Sequence, residues 1–183
     1  SENGSINRGV YSIKLNGKSK KELSVQPGTN DADFSGDFTY YINSFSDAET
    51  PWVFTLHRAK DGKLVRKIKD NKALLDQLAG YKTSKKEFFT LPIAGEDLNA
   101  WMIKPADFDE SKKYPMFMTQ YSGPGSQSVA NSWAGTNDYW FQMLAQEGYI
   151  IVCVDPRGTG LKGRDFKKVT QLELGKYEVE DQT

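Results

Sequence analysis

Residues 113–125 read Lys-Tyr-Pro-Met-Phe-Met-Thr-Gln-Tyr-Ser-Gly-Pro-Gly, and residues 148–160 read Gly-Tyr-Ile-Ile-Val-Cys-Val-Asp-Pro-Arg-Gly-Thr-Gly. Each is a short apolar run that ends in a glycine-rich turn, the pattern of a strand followed by a tight loop. Between them, Asp138–Glu147 mixes apolar and polar residues at helical spacing. Strand, turn, helix and strand make the βαβ unit of a parallel sheet. Working residues in such sheets sit in loops beyond the strands' C-terminal ends. Tyr121 and Asp155 both end their strands at such loops.

Upstream of this unit, Glu87–Ile93 and Leu98–Lys104 read as strands joined by Ala94-Gly95-Glu96-Asp97, a β-hairpin. Asn71–Ala79 shifts to helical spacing, with Leu74, Leu75 and Leu78 on one face behind a polar Asp70-Asn71 start. Lys82–Lys86 reads as a solvated charge run. Residues 8–70 are short strands with turns. Arg8–Leu15 alternates, Asn16-Gly17 supplies a tight turn, and Lys21–Val25 would return as the second strand of a hairpin. Pro27-Gly28 and Asn30-Asp31 mark a loop. Phe38–Phe45, Trp52–Arg58 and Leu64–Ile68 follow as strands. This spacing predicts a meander, a small sandwich or one propeller blade, with no internal repeat. Downstream, Lys176–Gln182 looks helical. By residues alone the chain is a partial α/β domain carrying a β appendage.

Composition narrows the function classes. The 183 residues carry 24 basic and 24 acidic side chains, so there is no electrostatic footprint for nucleic acid. No apolar run approaches the roughly 20 residues needed to cross a bilayer, and the chain does not open on a signal-peptide pattern. One histidine and one cysteine, with carboxylates scattered among lysines, predict no metal site and no cofactor. Cys153 lies in an apolar strand and reads as a buried small hydrophobe. His57 lies in another strand with no nucleophile in view, and reads as a plain strand histidine.

The most tempting motif is Gly158-Thr-Gly160-Leu-Lys-Gly163, a G-x-G-x-x-G pattern after a strand. Pro156 and Arg157 intervene before the first glycine, and no second strand ending in an acid follows about 20 residues later. An ordinary glycine-rich loop is the better reading. A Walker A loop and the Gly-x-Ser-x-Gly elbow of a hydrolase do not occur in the chain.

The same stretches carry a resemblance. Residues 113–127 (Lys-Tyr-Pro through Gly-Ser-Gln), 148–160 and 174–182 (Leu-Gly-Lys-Tyr-Glu-Val-Glu-Asp-Gln) resemble the start of the catalytic domain in the prolyl oligopeptidase family of serine peptidases, in its dipeptidyl peptidase IV branch. A weaker likeness extends back through Asp70-Asn-Lys-Ala-Leu74, Lys85-Lys86 and Phe54-Thr-Leu-His57. The resemblance implies an α/β fold: a partial α/β-hydrolase sheet preceded by an antiparallel β-propeller blade. Residues 1–70 would be the C-terminal part of a propeller, and residues 71–183 the N-terminal half of a hydrolase domain.

It further implies an exopeptidase that releases X-Pro or X-Ala dipeptides from peptide N-termini. The family's serine elbow would come shortly after Thr183, and its Asp and His later still. The propeller glutamates that bind the substrate's amino terminus would lie before Ser1. The chain alone should then be inactive. Tyr121 matches the family tyrosine whose hydroxyl helps form the oxyanion hole; by residues alone it is an amphipathic strand-end aromatic. Arg157 and Asp155 match an Asp-x-Arg-Gly-x-Gly segment and read as an ion-paired structural loop. Trp133, Tyr139 and Trp140 read as core before pocket wall. A peptide substrate, a homodimer of the full-length protein and a periplasmic or secreted location are implied in the same way. Two other readings stay open: another hydrolase of the family, such as an acylaminoacyl peptidase or oligopeptidase, and a non-catalytic interaction module.

Overall fold

The computed structural model describes residues 4–24 and 26–183. The chain divides into two compact units, Ser1–Tyr81 with Asn131–Trp133, and Lys82–Ala130 with Ala134–Thr183.

The first unit is built on a four-stranded antiparallel sheet in sequential order: β3 (Thr29–Phe34), β4 (Tyr40–Ser46), β5 (Val53–Arg58) and β6 (Leu64–Lys69). This is the expected meander, with one difference at its start. The segment read as a loop around Asn30-Asp31 is an edge strand, pairing Thr29 with Ser46 through Phe34 with Tyr41. Its polar side chains find partners on other segments, which is why polarity misreads it. Asn30 Nδ2 donates to the carbonyls of Arg8 and Gln26 at 3.1 Å each, and Asn43 Nδ2 donates to Asn30 Oδ1. The hairpin before it is shorter than its sequence suggests. Among the described residues its paired strands are β1 (Tyr11–Ser12) and β2 (Lys21–Glu22), extended by Leu23 N donating to Val10 O, and Val25 lies outside the described residues.

Tyr41 is fully buried on β4, stacked on His57 at 5.1 Å between ring centroids, with its hydroxyl donating to Leu23 O. His57 contacts the Gly62 carbonyl through Nδ1 at 3.0 Å and the Thr55 hydroxyl through Nε2 at 2.9 Å. A carbonyl only accepts, so Nδ1 carries a proton directed at Gly62 O. The histidine is the core residue its strand predicts. Helix α1 (Lys72–Leu78) closes this unit. Asp70 Oδ1, not the Asn71 side chain, accepts the Lys72 N–H at its start. The loop segment Asn131–Trp133 also belongs here, with Asn131 N donating to Ile6 O and Asn131 Oδ1 accepting from Ala48 N.

The second unit is a mixed sheet in the order β7 (Lys86–Ile93), β8 (Glu96–Ile103), β10 (Ile150–Asp155), β9 (Met116–Thr119). β7 and β8 form the predicted hairpin around a two-residue turn. Ala94 and Gly95 both take positive φ, 51° and 82°, the primed geometry that matches strand twist. β10 runs parallel to β9 and antiparallel to β8. With helical segments packed against both faces of the sheet, it needs apolar residues on both sides, which accounts for its unbroken Ile-Ile-Val-Cys-Val run.

Helix α2 (Thr136–Gln146) connects β9 to β10 and packs against β10 and β8. On its side the aromatic pair Trp101–Phe141 meets at 5.3 Å. Phe166 on α3 (Arg164–Lys168) joins the other face, in a cluster with Leu98, Ala100 and Val154. Helix α4 (Lys176–Gln182) ends the chain, as expected. No helix among the described residues is long and apolar enough to cross a membrane.

Candidate active site

Two glycine-rich loops leave the same end of the parallel pair β9–β10, and they bond to each other. Gly125 N donates to Gly158 O at 2.8 Å, and Gly160 N donates to Ser126 O at 2.7 Å. A methyl group at Gly160 would sit 2.9 Å from the Gly125 carbonyl oxygen, so only glycine allows this approach. Gly158 N is also committed, donating to Phe166 O at 3.0 Å. The N–H groups a dinucleotide would need therefore serve the protein itself, and the G-x-G-x-x-G pattern is structural here.

Asp155, buried at the end of β10, grips the first loop from below. Its carboxylate accepts from Ser128 N at 2.9 Å and from Val129 N at 2.9 Å. Burial pushes its carboxyl above the ordinary value, and the two amide bonds pull in the opposite direction. Trp101 Nε1 holds the same loop by donating to Ser128 O at 3.2 Å. Asp155 and Arg157 are thus not partners of one another. Arg157 pairs with Asp181 on α4, with Nη2 to Oδ1 at 2.7 Å and Nε within 3.1 Å of both oxygens. Arg157 N donates to the same carboxylate at 2.7 Å, and Glu180 stands 2.9 Å from Nη2. The guanidinium also lies 4.7 Å above the Tyr177 ring. These bonds, chiefly to Asp181, hold the Arg157 pKa above its already high ordinary value.

Tyr121 stands two residues past β9 on the loop so fixed, and 77% of its surface is exposed. Ser122 behind it takes φ 58°, an uncommon conformation for a non-glycine residue, and its hydroxyl donates to Gln120 Oε1 at 2.8 Å. A cavity of about 440 Å³ opens beside the phenol, bordered also by Thr119, Gln120, Trp140, Trp101 and Phe141. Trp140 is exposed at this rim, not in the core as its sequence suggests. Trp133 lies in the first unit.

Deeper in the cavity, Lys86 Nζ bonds Asp138 Oδ1 at 2.7 Å and lies 4.8 Å from the Trp101 ring centre. Its side chain is only 7% exposed. Lys86 therefore departs from the solvated charge run its neighbours suggest, and no local signal marks it: its partner is 52 residues away. Among the described residues no group of three or more His, Cys, Asp or Glu side chains could hold a metal ion.

Cys153 also borders the cavity but is buried, and burial pushes its thiol up to about 12. The neutral thiol is favoured in the fold, so its contribution to stability weakens only as pH rises above the unfolded value near 9. At pH 8 in the folded full-length protein, iodoacetamide should leave the Cys153 peptide unmodified, with labelling after denaturation. Native labelling as fast as that of an exposed cysteine would contradict the assignment.

A mixed sheet with a helix on either face, and an exposed phenol where two strand ends meet, is α/β architecture with its candidate site beyond the C-terminal strand ends. Residues 136–183 match the model of the prolyl oligopeptidase family, and residues 1–52 match that of the dipeptidyl peptidase IV N-terminal region. The crystal structure of Porphyromonas gingivalis dipeptidyl peptidase 4 superposes with a TM-score of 0.93 at 44% identity, covering 99% of this chain and 25% of that one. A probable dipeptidyl-aminopeptidase B of Podospora anserina is 36% identical over 97% of this chain and 19% of its own length. A probable dipeptidyl peptidase 4 of Aspergillus flavus is 34% identical over 97% of this chain and 24% of its own. From end to end the chain resembles a segment of the dipeptidyl peptidases, and its residues 136–183 carry the prolyl oligopeptidase match. It spans about a quarter or less of the length of these relatives.

Proposed function

We propose that the full-length protein is a serine exopeptidase that removes X-Pro or X-Ala dipeptides from peptide N-termini, and that Tyr121 supplies one donor of its oxyanion hole. The observation that carries the reading is the position of Tyr121: an exposed phenol on a loop pinned by Asp155, Trp101 and two inter-loop backbone bonds. Counting from β7, β9 is the third strand of its sheet and α2 the helix that follows. The loop between the third strand and the first helix is where α/β-hydrolases hold one oxyanion donor. This supports reading the second unit, from Lys82 on, as the first half of a hydrolase domain, whereas α1, inside the expected 71–183, belongs to the first unit. The sequential antiparallel sheet β3–β6 likewise supports a propeller blade within residues 1–70.

The resemblance implies a triad serine, aspartate and histidine outside the stretch matched here, and with it an inactive 183-residue chain. A peptide substrate, a homodimer and a periplasmic or secreted location are carried by the resemblance to dipeptidyl peptidases. Release of p-nitroaniline from Gly-Pro-p-nitroanilide tests the reading. The full-length protein should cleave this substrate, while the same peptide with a blocked amino terminus should not react. Cleavage only of the blocked peptide would point to an oligopeptidase or acylaminoacyl peptidase. No cleavage of either would leave a non-catalytic module.

A further inference from the structure

We propose that Gly123 is a positioning residue for Tyr121, setting the direction of its phenol through the absence of a side chain; this rests on the oxyanion role proposed above. With most of its surface exposed, the Tyr121 ring is oriented by its own loop more than by the core. The loop turns sharply at Ser122 with φ 58° and brings Gly123 under the ring. A Cβ at residue 123 would lie 2.5 Å from Tyr121 Cε1, 3.2 Å from Cδ1 and 3.3 Å from Cζ. Ordinary carbon contacts begin near 3.5 Å, so even alanine forces the ring to move by about 1 Å. Gly123 is not among the glycines with positive φ, so its backbone suits alanine. The ring contact is the reason for glycine here. The hydroxyl lies further along the ring than Cε1 and is carried with it. An oxyanion donor is useful only when it points at the charge that develops in the transition state.

The test compares three variants of the full-length protein on Gly-Pro-p-nitroanilide: Gly123→Ala, Tyr121→Phe and the double change. Gly123→Ala should lower kcat by about 10²-fold, the effect of a 1 Å misplacement, with KM nearly unchanged and thermal stability retained. The double variant should be no slower than Tyr121→Phe alone, since a ring without its hydroxyl has nothing left to aim. A crystal structure of Gly123→Ala should show the Tyr121 ring rotated off the loop. If Tyr121→Phe is slow while Gly123→Ala matches the wild type, the positioning role is overturned and the oxyanion role stands. If the two losses multiply in the double variant, Gly123 acts through something other than the phenol, and the inference is overturned. If Tyr121→Phe is as fast as wild type, the oxyanion reading fails and this inference with it.

Discussion

Tyr121→Phe in the full-length protein should lower kcat for Gly-Pro-p-nitroanilide by roughly 10²–10³-fold, equivalent to about 3–4 kcal/mol of transition-state stabilisation. The change removes one oxygen and keeps the ring, so packing against Gly123 and the cavity rim is retained. Charge on the carbonyl oxygen develops only as the tetrahedral intermediate forms. A donor aimed there therefore acts on kcat, and KM should change little. The fixed loop matters to the size of the effect. Asp155 holds Ser128 and Val129, and Trp101 holds Ser128, so the donor pays little reorganisation as charge appears. A variant with wild-type kcat would make Tyr121 a cavity wall and no more. A variant with raised KM and unchanged kcat would assign it to ground-state substrate binding.

Asp181→Ala should be the most damaging single change to the fold around this site. The Asp181 side chain is fully buried and the Arg157 side chain is 12% exposed. The carboxylate accepts both from the guanidinium and from the Arg157 backbone. Removing it strands a buried cation that cannot lose its proton, whose remaining ionic partner is the half-exposed Glu180. Breaking such a pair costs about 3–5 kcal/mol, and Glu180 together with the Tyr177 ring places the expectation at the lower end. For a unit of about 100 residues that corresponds to a fall in Tm of roughly 12–24 °C.

Asp181→Asn keeps an acceptor and should cost less. The pair Arg157→Met with Asp181→Leu removes both charges and should recover much of the loss, since well-packed apolar pairs often replace buried ion pairs without penalty. Thermal unfolding of the full-length protein by circular dichroism measures all three. An Asp181→Ala Tm within a degree of wild type would show that the pair contributes nothing to the anchoring of α4.

What could be read from the sequence follows from the range of the interactions involved. The Ala94-Gly95 hairpin, helices α2 and α4 and the β9–α2–β10 unit are governed by neighbours a few residues apart, and their signals are local. The meander β4–β6 is legible for the same reason. β3 is not, because Thr-Asn-Asp-Ala-Asp-Phe has the composition of a loop; it becomes a strand through pairing with β4 and through Asn30's bonds to two carbonyls. The candidate site divides in the same way. Tyr121 stands out at the end of an apolar strand before Ser-Gly-Pro-Gly, and its role was suggested by resemblance. The Lys86–Asp138 pair and the Arg157–Asp181 pair carry no local mark, being 52 and 24 residues apart.

By itself the amino-acid sequence determined that this chain holds a parallel strand pair with glycine loops at one end, a β-rich stretch before it, and a dipeptidyl-peptidase-IV-like pattern. Those features rest on periodicity and turn chemistry, which act within a few residues. Only the tertiary structure decided that β10 lies between β8 and β9, that Asp155 grips amides while Arg157 reaches α4, and that Gly123 lies beneath the Tyr121 ring. Each of these depends on which distant segments the burial of apolar surface brings together, and on how the buried polar groups left between them are then satisfied.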